Sequence, residues 1–146
     1  MTVVDPKQVP EHTGSSTYPP ELKPLVSGRH QRRLAEAAGL TKFDVNLVRL
    51  EPGAASSARH WHTREDEFVW VVEGEVTLIT DAGPQVLTAG MSVGFPAGRP
   101  DGHHFVNRSG AAVTILAIGD RSPGDAVHYP DAGLELIGGV FRKKER

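Results

Sequence analysis

From residue 41 onward apolar and polar positions alternate, and the alternation holds to about residue 118. Successive strand side chains point to opposite faces, so a period of two predicts half-buried β-structure. The predicted strands are 43–50, 60–62, 67–72, 75–80, 85–88, 91–95, 103–107 and 112–118. Most of them end at a glycine or proline turn, such as Glu51-Pro52-Gly53, Glu73-Gly74, Ala89-Gly90 and Arg108-Ser109-Gly110. Short strands at this spacing predict an all-β barrel or sandwich. In 43–50 the alternation places Phe43, Val45 and Leu47 on one inward face, with Arg49 following them. Residues 68–72, Phe-Val-Trp-Val-Val, are apolar at both parities, so the outward side chains need a cover. A second copy of the chain is the expected cover, which predicts a homodimer.

The flanks read differently. Residues 1–27 carry five prolines and predict an extended arm that buries Val9, Tyr18, Leu22, Leu25 and Val26, with His12 in a solvated loop. Residues 28–40 are rich in helix formers and stop at Gly39, which predicts the one short helix. Arg29, Arg32 and Arg33 within it read as a solvated face. After residue 119 come a loop (121–125), an apolar segment (133–138) and a charged end. The expected division is 1–40 as arm and short helix packed on a barrel, 41–119 as barrel core, and 120–146 as a C-terminal extension.

Composition narrows the function classes. A chain of 146 residues suits one domain, and 16 glycines with 11 prolines favour turns over long helices. Net charge is −2, so no basic excess points to nucleic acid or an anionic membrane. No cysteine is present, which excludes disulfides, thiolate ligands and cysteine nucleophiles. Neither a signal peptide nor an apolar run of membrane-spanning length is visible, so a cytoplasmic protein is expected. Dinucleotide, P-loop and DNA-binding motifs are missing.

The chemistry concentrates in His60-Trp61-His62-Thr63-Arg64-Glu65-Asp66-Glu67. On a strand, His60 and His62 project to the same face while Trp61 turns away. Imidazole is the commonest metal ligand and Glu67 adds a hard oxygen, so this is a partial metal site. A third imidazole is available at His103 or His104. Nitrogen and oxygen donors without sulfur suit a divalent Mn, Fe, Co, Ni, Cu or Zn ion.

These residues resemble the cupin superfamily. Its first motif is met by Gly53, six residues, His60-Trp61-His62, four residues, Glu67, six residues and Gly74. Its second is met by Gly90, five residues, Pro96-Ala97-Gly98, four residues, His103, three residues and Asn107. Two gaps are longer than the pattern: by one residue after Gly53 and by two after Gly98. The resemblance implies a double-stranded β-helix, or jelly-roll, barrel holding a metal on His60, His62, Glu67 and His103. Register agrees: with Phe105 and Asn107 inward, His103 shares their face and His104 points away.

What the resemblance implies for function is a metal-dependent enzyme acting on a small polar, oxygen-rich molecule, either sugar-phosphate isomerase-like or dioxygenase-like. Glu67 is a candidate base as well as a ligand. Arg49, if inward, could meet a substrate carboxylate or phosphate; a barrel-end salt bridge is its other reading. A non-catalytic cupin that binds or senses a small ligand is the alternative. A metal-free epimerase-like barrel would need a tyrosine acid, and Tyr18 and Tyr129 lie outside the predicted core strands. Trp61 and Trp70 read as packing, and Arg59, Arg64 and Arg99 as rim charges. His128 and Tyr129 could close the mouth or form a packed strap.

Overall fold

The computed structural model describes residues 1–144. Its strands are β1 (Glu11–Thr13), β2 (Arg29–Arg33), β3 (Phe43–Leu50), β4 (Trp61–His62), β5 (Glu67–Glu73), β6 (Glu75–Thr80) and β7 (Gly83–Thr88). They continue with β8 (Ser92–Phe95), β9 (His104–Val106), β10 (Val113–Asp120), β11 (Ala126–Tyr129), β12 (Leu134–Ile137) and β13 (Val140–Lys143). One α-helix, α1, covers Leu34–Ala37. All pairings are antiparallel, in sheets ordered β1-β2-β3-β10-β5-β8, β13-β12-β11-β4 and β7-β6-β9. The architecture is a jelly-roll barrel, and each strand predicted between 43 and 118 is present within a residue or two of its expected ends, with His60 joined only through a bridge to His103.

Two apolar clusters hold it together. The barrel core is aliphatic: Val48, Leu50, Val69, Val71, Val76, Leu78, Val113 and Ile115, with Phe105. Burying each such side chain favours folding by roughly 1.5–3 kcal/mol. A second cluster joins the two ends of the chain, with Leu22 and Tyr18 from the arm against Val127, Tyr129, Leu134 and Phe141.

The structure corrects four expectations. Residues 29–33 form a strand, not a helix, because Arg29 to Arg33 pair with Leu50 to Asn46 of β3. Sheet pairing overrides the local helix preference, and only Leu34–Ala37 stays helical, closed by Gly39 at φ 76°. The inward face of β3 is Asp44, Asn46, Val48 and Leu50, not Phe43, Val45 and Leu47. This strand is apolar at both parities, and Val48 and Leu50 win because they oppose the buried Ile115 and Val113 of β10. Leu25 is exposed, while Val9, Leu22 and Val26 are buried. Finally, the C-terminal region forms three strands, β11 to β13, where a loop, an apolar segment and a charged end were expected.

Motif glycine Gly74 shows why the turn needs it. Its φ is 89°, and a Cβ there would sit 3.1 Å from Ala112 O. Asn107 closes the second motif. It is fully buried, its Nδ2 donates to Leu50 O (2.9 Å) and Ala111 O (2.8 Å), and its Oδ1 accepts from Ser109. One side chain thus ties β3 to the turn before β10.

Candidate metal centre

Three sheets meet at one carboxylate. Glu67 starts β5 in the large sheet, His62 ends β4 of the four-stranded sheet, and His60 immediately precedes β4. His103 immediately precedes β9 of the three-stranded sheet. Reciprocal backbone bonds, His60 N to His103 O at 3.1 Å and His103 N to His60 O at 2.9 Å, set these two residues opposite each other. Their ring centroids are 4.8 Å apart. The His103 ring also stacks on Phe95, the residue opposite Glu67 in the β5–β8 pair.

All three rings turn their Nε2 atoms to Glu67. His60 Nε2 is 3.2 Å from Oε1, His62 Nε2 makes a short contact to Oε1, and His103 Nε2 is 2.6 Å from Oε2. The donor atoms of His60, His62 and Glu67 lie within 4.8 Å of one another. His103 lies outside that set, but its Nε2 meets the second carboxylate oxygen of Glu67. The four residues expected to converge do converge, and His103 is the third histidine at the carboxylate. His104 instead bonds Ser57 O through Nδ1 at 2.8 Å, and it still lines the adjoining cavity.

The far sides of two of the rings are held too, while His103 Nδ1 is buried without a hydrogen-bond partner among the described residues. His62 Nδ1 is 2.7 Å from Asp125 Oδ2, and Asp125 Oδ1 accepts from the backbone N–H groups of Arg64 and Glu65. His60 Nδ1 lies 2.9 Å from Ala58 O and 3.1 Å from Ser57 Oγ. With Nδ1 donating to these oxygens, a neutral imidazole presents the Nε2 lone pair to Glu67. Lone pairs and a carboxylate then face one another, which is repulsive until a cation or protons lie among them. The electrostatics say the same. Burial pulls His62 down, yet its bonds to Glu67 and Asp125 outweigh this and hold its pKa at about 9. Burial alone would raise Glu67, but its bonds to His103, His60 and His62 hold it well below the usual carboxylate range. Burial lowers His103, and the bond to Glu67 only partly offsets it. A donor set of three nitrogens and a carboxylate, oriented from behind by Asp125 and a backbone carbonyl, fits a divalent transition metal.

Arg49 is not part of this group. It lies on the outer face of β3, where its Nη2 is 3.5 Å from Glu11 and its side chain is 43% exposed. The one-residue difference in the parity of β3 put it there. Trp61 stacks on His128 across the β4–β11 pair, with centroids 4.4 Å apart. Trp70 faces out and is half-exposed. Tyr129 packs 5.8 Å from His60, in a ladder with Tyr18, and burial followed by proximity to Tyr18 raises its pKa. Neither tyrosine lines a cavity at the centre. Asp125 was not foreseen: it is 63 residues from His62 in an ordinary turn, with no local pattern to mark it.

Two cavities open on the group. One of about 170 Å³ is lined by His62, Glu65, Glu67, Phe95, Arg99 and His103. The other, about 260 Å³, includes Arg29, Asn46, Ser57, His60, Glu67 and His103.

The family model for a cupin domain matches residues 46–119. The chain is a cupin. No curated protein sequence matches it significantly. Among solved structures it is similar to a sugar phosphate isomerase of the cupin superfamily from Silicibacter pomeroyi, at 41% identity and TM-score 0.92, covering 98% of this chain and 93% of that one. It is also similar to a protein from Acidithiobacillus ferrooxidans provisionally named a sugar phosphate isomerase, at 31% identity and TM-score 0.74, covering 81% and 78%. A polyketide cyclase from Streptomyces resistomycificus shares the fold at 22% identity and TM-score 0.66, covering 86% and 83%. This cupin has no helix among its described residues long and apolar enough to cross a membrane.

Proposed function

We propose that this cupin is a metal-dependent enzyme acting on a small, oxygen-rich molecule, of the sugar-phosphate isomerase kind. The observation that carries the reading is the Glu67 carboxylate contacted by three imidazole Nε2 atoms at the junction of two cavities. The two isomerase-named neighbours above 30% identity favour isomerisation over oxygen chemistry. His60, His62, Glu67 and His103 would hold a divalent Mn, Fe, Ni, Zn or Cu ion. A bound ion of this class supplies Lewis acidity to a carbonyl or hydroxyl oxygen. The protein's part is positional. Asp125 keeps His62 in one tautomer, and Ala58 O does the same for His60. Phe95 backs His103 and excludes water from its face. Glu65 lines both cavities, and burial raises its carboxyl above the usual range.

We also propose that a second copy covers the outer face of the large sheet, where Phe68, Trp70 and Val72 are each about two-fifths exposed. The test of the metal reading is elemental analysis of protein purified without added metal, then reconstituted with each candidate ion. Wild type should carry about one ion per chain, and His60→Ala with His62→Ala should carry none. Reconstituted protein should then interconvert an aldose phosphate and its ketose without consuming oxygen. Wild type without stoichiometric metal after reconstitution removes the reading. Metal binding with no turnover on any sugar phosphate leaves a ligand-binding cupin.

A further inference from the structure

Arg29 behaves unlike the two arginines beside it. Arg32 pairs with Glu11, and Arg33 with Glu36. Arg29 shares a face of β2 with Gln31 and Arg33, yet its partners are neutral. Its Nη1 donates to Ser56 O and its Nη2 to Gly14 O, each at 2.8 Å, and its Nε is buried without a hydrogen-bond partner. Neutral carbonyls satisfy donors but leave the charge standing. No ion pair among the described residues includes Arg29. A guanidinium held in a partly buried place without a carboxylate is unfavourable, because the protein removes water without returning an anion. Burial does disfavour its charged form here, and nearby Arg33 adds to the effect.

The position of this unneutralised charge is informative. Arg29 lines the cavity of about 260 Å³ that also holds His60, His62, Glu67 and His103. A short chain links the two: Arg29 holds the carbonyl of Ser56, and the next residue, Ser57, reaches His60 Nδ1 at 3.1 Å. Gln31 and Asn46 line the same cavity with neutral amides. The acidic residues along that lining have other partners: Glu67 the three imidazoles, Glu65 the N–H of Ser122, Asp44 the guanidinium of Arg121, Asp66 the N–H of Ala97, and Asp120 the N–H of Asp66. The cavity thus has the Arg29 guanidinium and the His/Glu group in one lining.

We propose that Arg29 is the binding residue for the phosphate group of the substrate, whose polyol or carbonyl end lies at the His60, His62, Glu67 and His103 centre. A planar guanidinium with N–H groups in fixed directions is suited to a phosphate monoester, and a phosphate would be the anionic partner that none of the cavity's carboxylates gives Arg29. This rests on the metal-enzyme reading only for what lies at the other end.

The test separates the two. Inorganic phosphate is titrated into the full-length, metal-free, nitrogen-15-labelled chain, and the arginine Nε–H resonances are followed. The Arg29 resonance should shift and saturate. Arg29→Met should weaken phosphate binding at least tenfold while its metal content equals wild type, and Arg29→Lys should keep part of the affinity. Arg99→Ala, the exposed arginine of the smaller cavity, should bind phosphate as wild type does. An unmoved Arg29 resonance overturns the proposal without need of any variant. So does wild-type phosphate affinity in a folded Arg29→Met, or loss of that affinity in Arg99→Ala. Phosphate binding without metal loading removes the metal reading and leaves the phosphate subsite. Metal loading without phosphate binding does the reverse.

Discussion

The aliphatic barrel core and the aromatic cluster at the chain's two ends are built from different parts of the sequence. The first takes its side chains from strands close in sequence, β3 to β10, and uses Val, Leu and Ile with Phe105. The second joins the arm to β11, β12 and β13 and uses Tyr18, Tyr129 and Phe141. The His/Glu centre lies where the two meet. Glu67 belongs to the sheet over the first cluster, while His62 lies opposite Val127 of the second. The core therefore carries stability, and the terminal cluster sets the pose of β4, and with it His60 and His62.

This contrast can be broken by separating folding from metal affinity. Leu50, fully buried in the barrel core and away from both cavities, should cost about 3–5 kcal/mol on Leu50→Ala in urea unfolding, with metal affinity per folded chain unchanged. Leu134→Ala in the terminal cluster should cost less, about 2 kcal/mol, because Leu134 keeps some solvent contact. It should nevertheless weaken metal binding, since β12 backs β11 and β11 backs β4. Equal metal affinity in the two variants would abolish the distinction. Asp125→Asn should lower metal affinity about tenfold, or ~1.4 kcal/mol, by chelator competition, with little change in the unfolding midpoint. Trp70→Glu should halve the mass seen in sedimentation while changing monomer stability by less than about 1 kcal/mol. Arg49→Ala should cost about 0.5 kcal/mol and leave turnover untouched, as fits an exposed pair with Glu11.

Legibility followed the range of the interactions. The strands between 43 and 118 could be read because each is a local alternation closed by a turn. That His103, not His104, turns to Glu67 could be read as well, since Phe105 and Asn107 fix the parity of His103. β3 misled because both its parities are apolar, so local alternation has no preferred face. β2 misled because its residues favour helix alone and become strand only when β1 and β3 lie on either side. β11 and β13 have too few alternating positions to stand out.

By itself the sequence determined an all-β barrel and the spacing of His60, His62, Glu67 and His103, because strand period and turn residues are properties of neighbouring positions. Only the tertiary structure decided which side of β3 faces inward, that Asp125 holds His62, and that Arg29 lines the cavity at the centre with no ion pair among the described residues. Those outcomes depend on contacts between segments far apart along the chain. No pattern in either segment alone encodes the partner that burial will select.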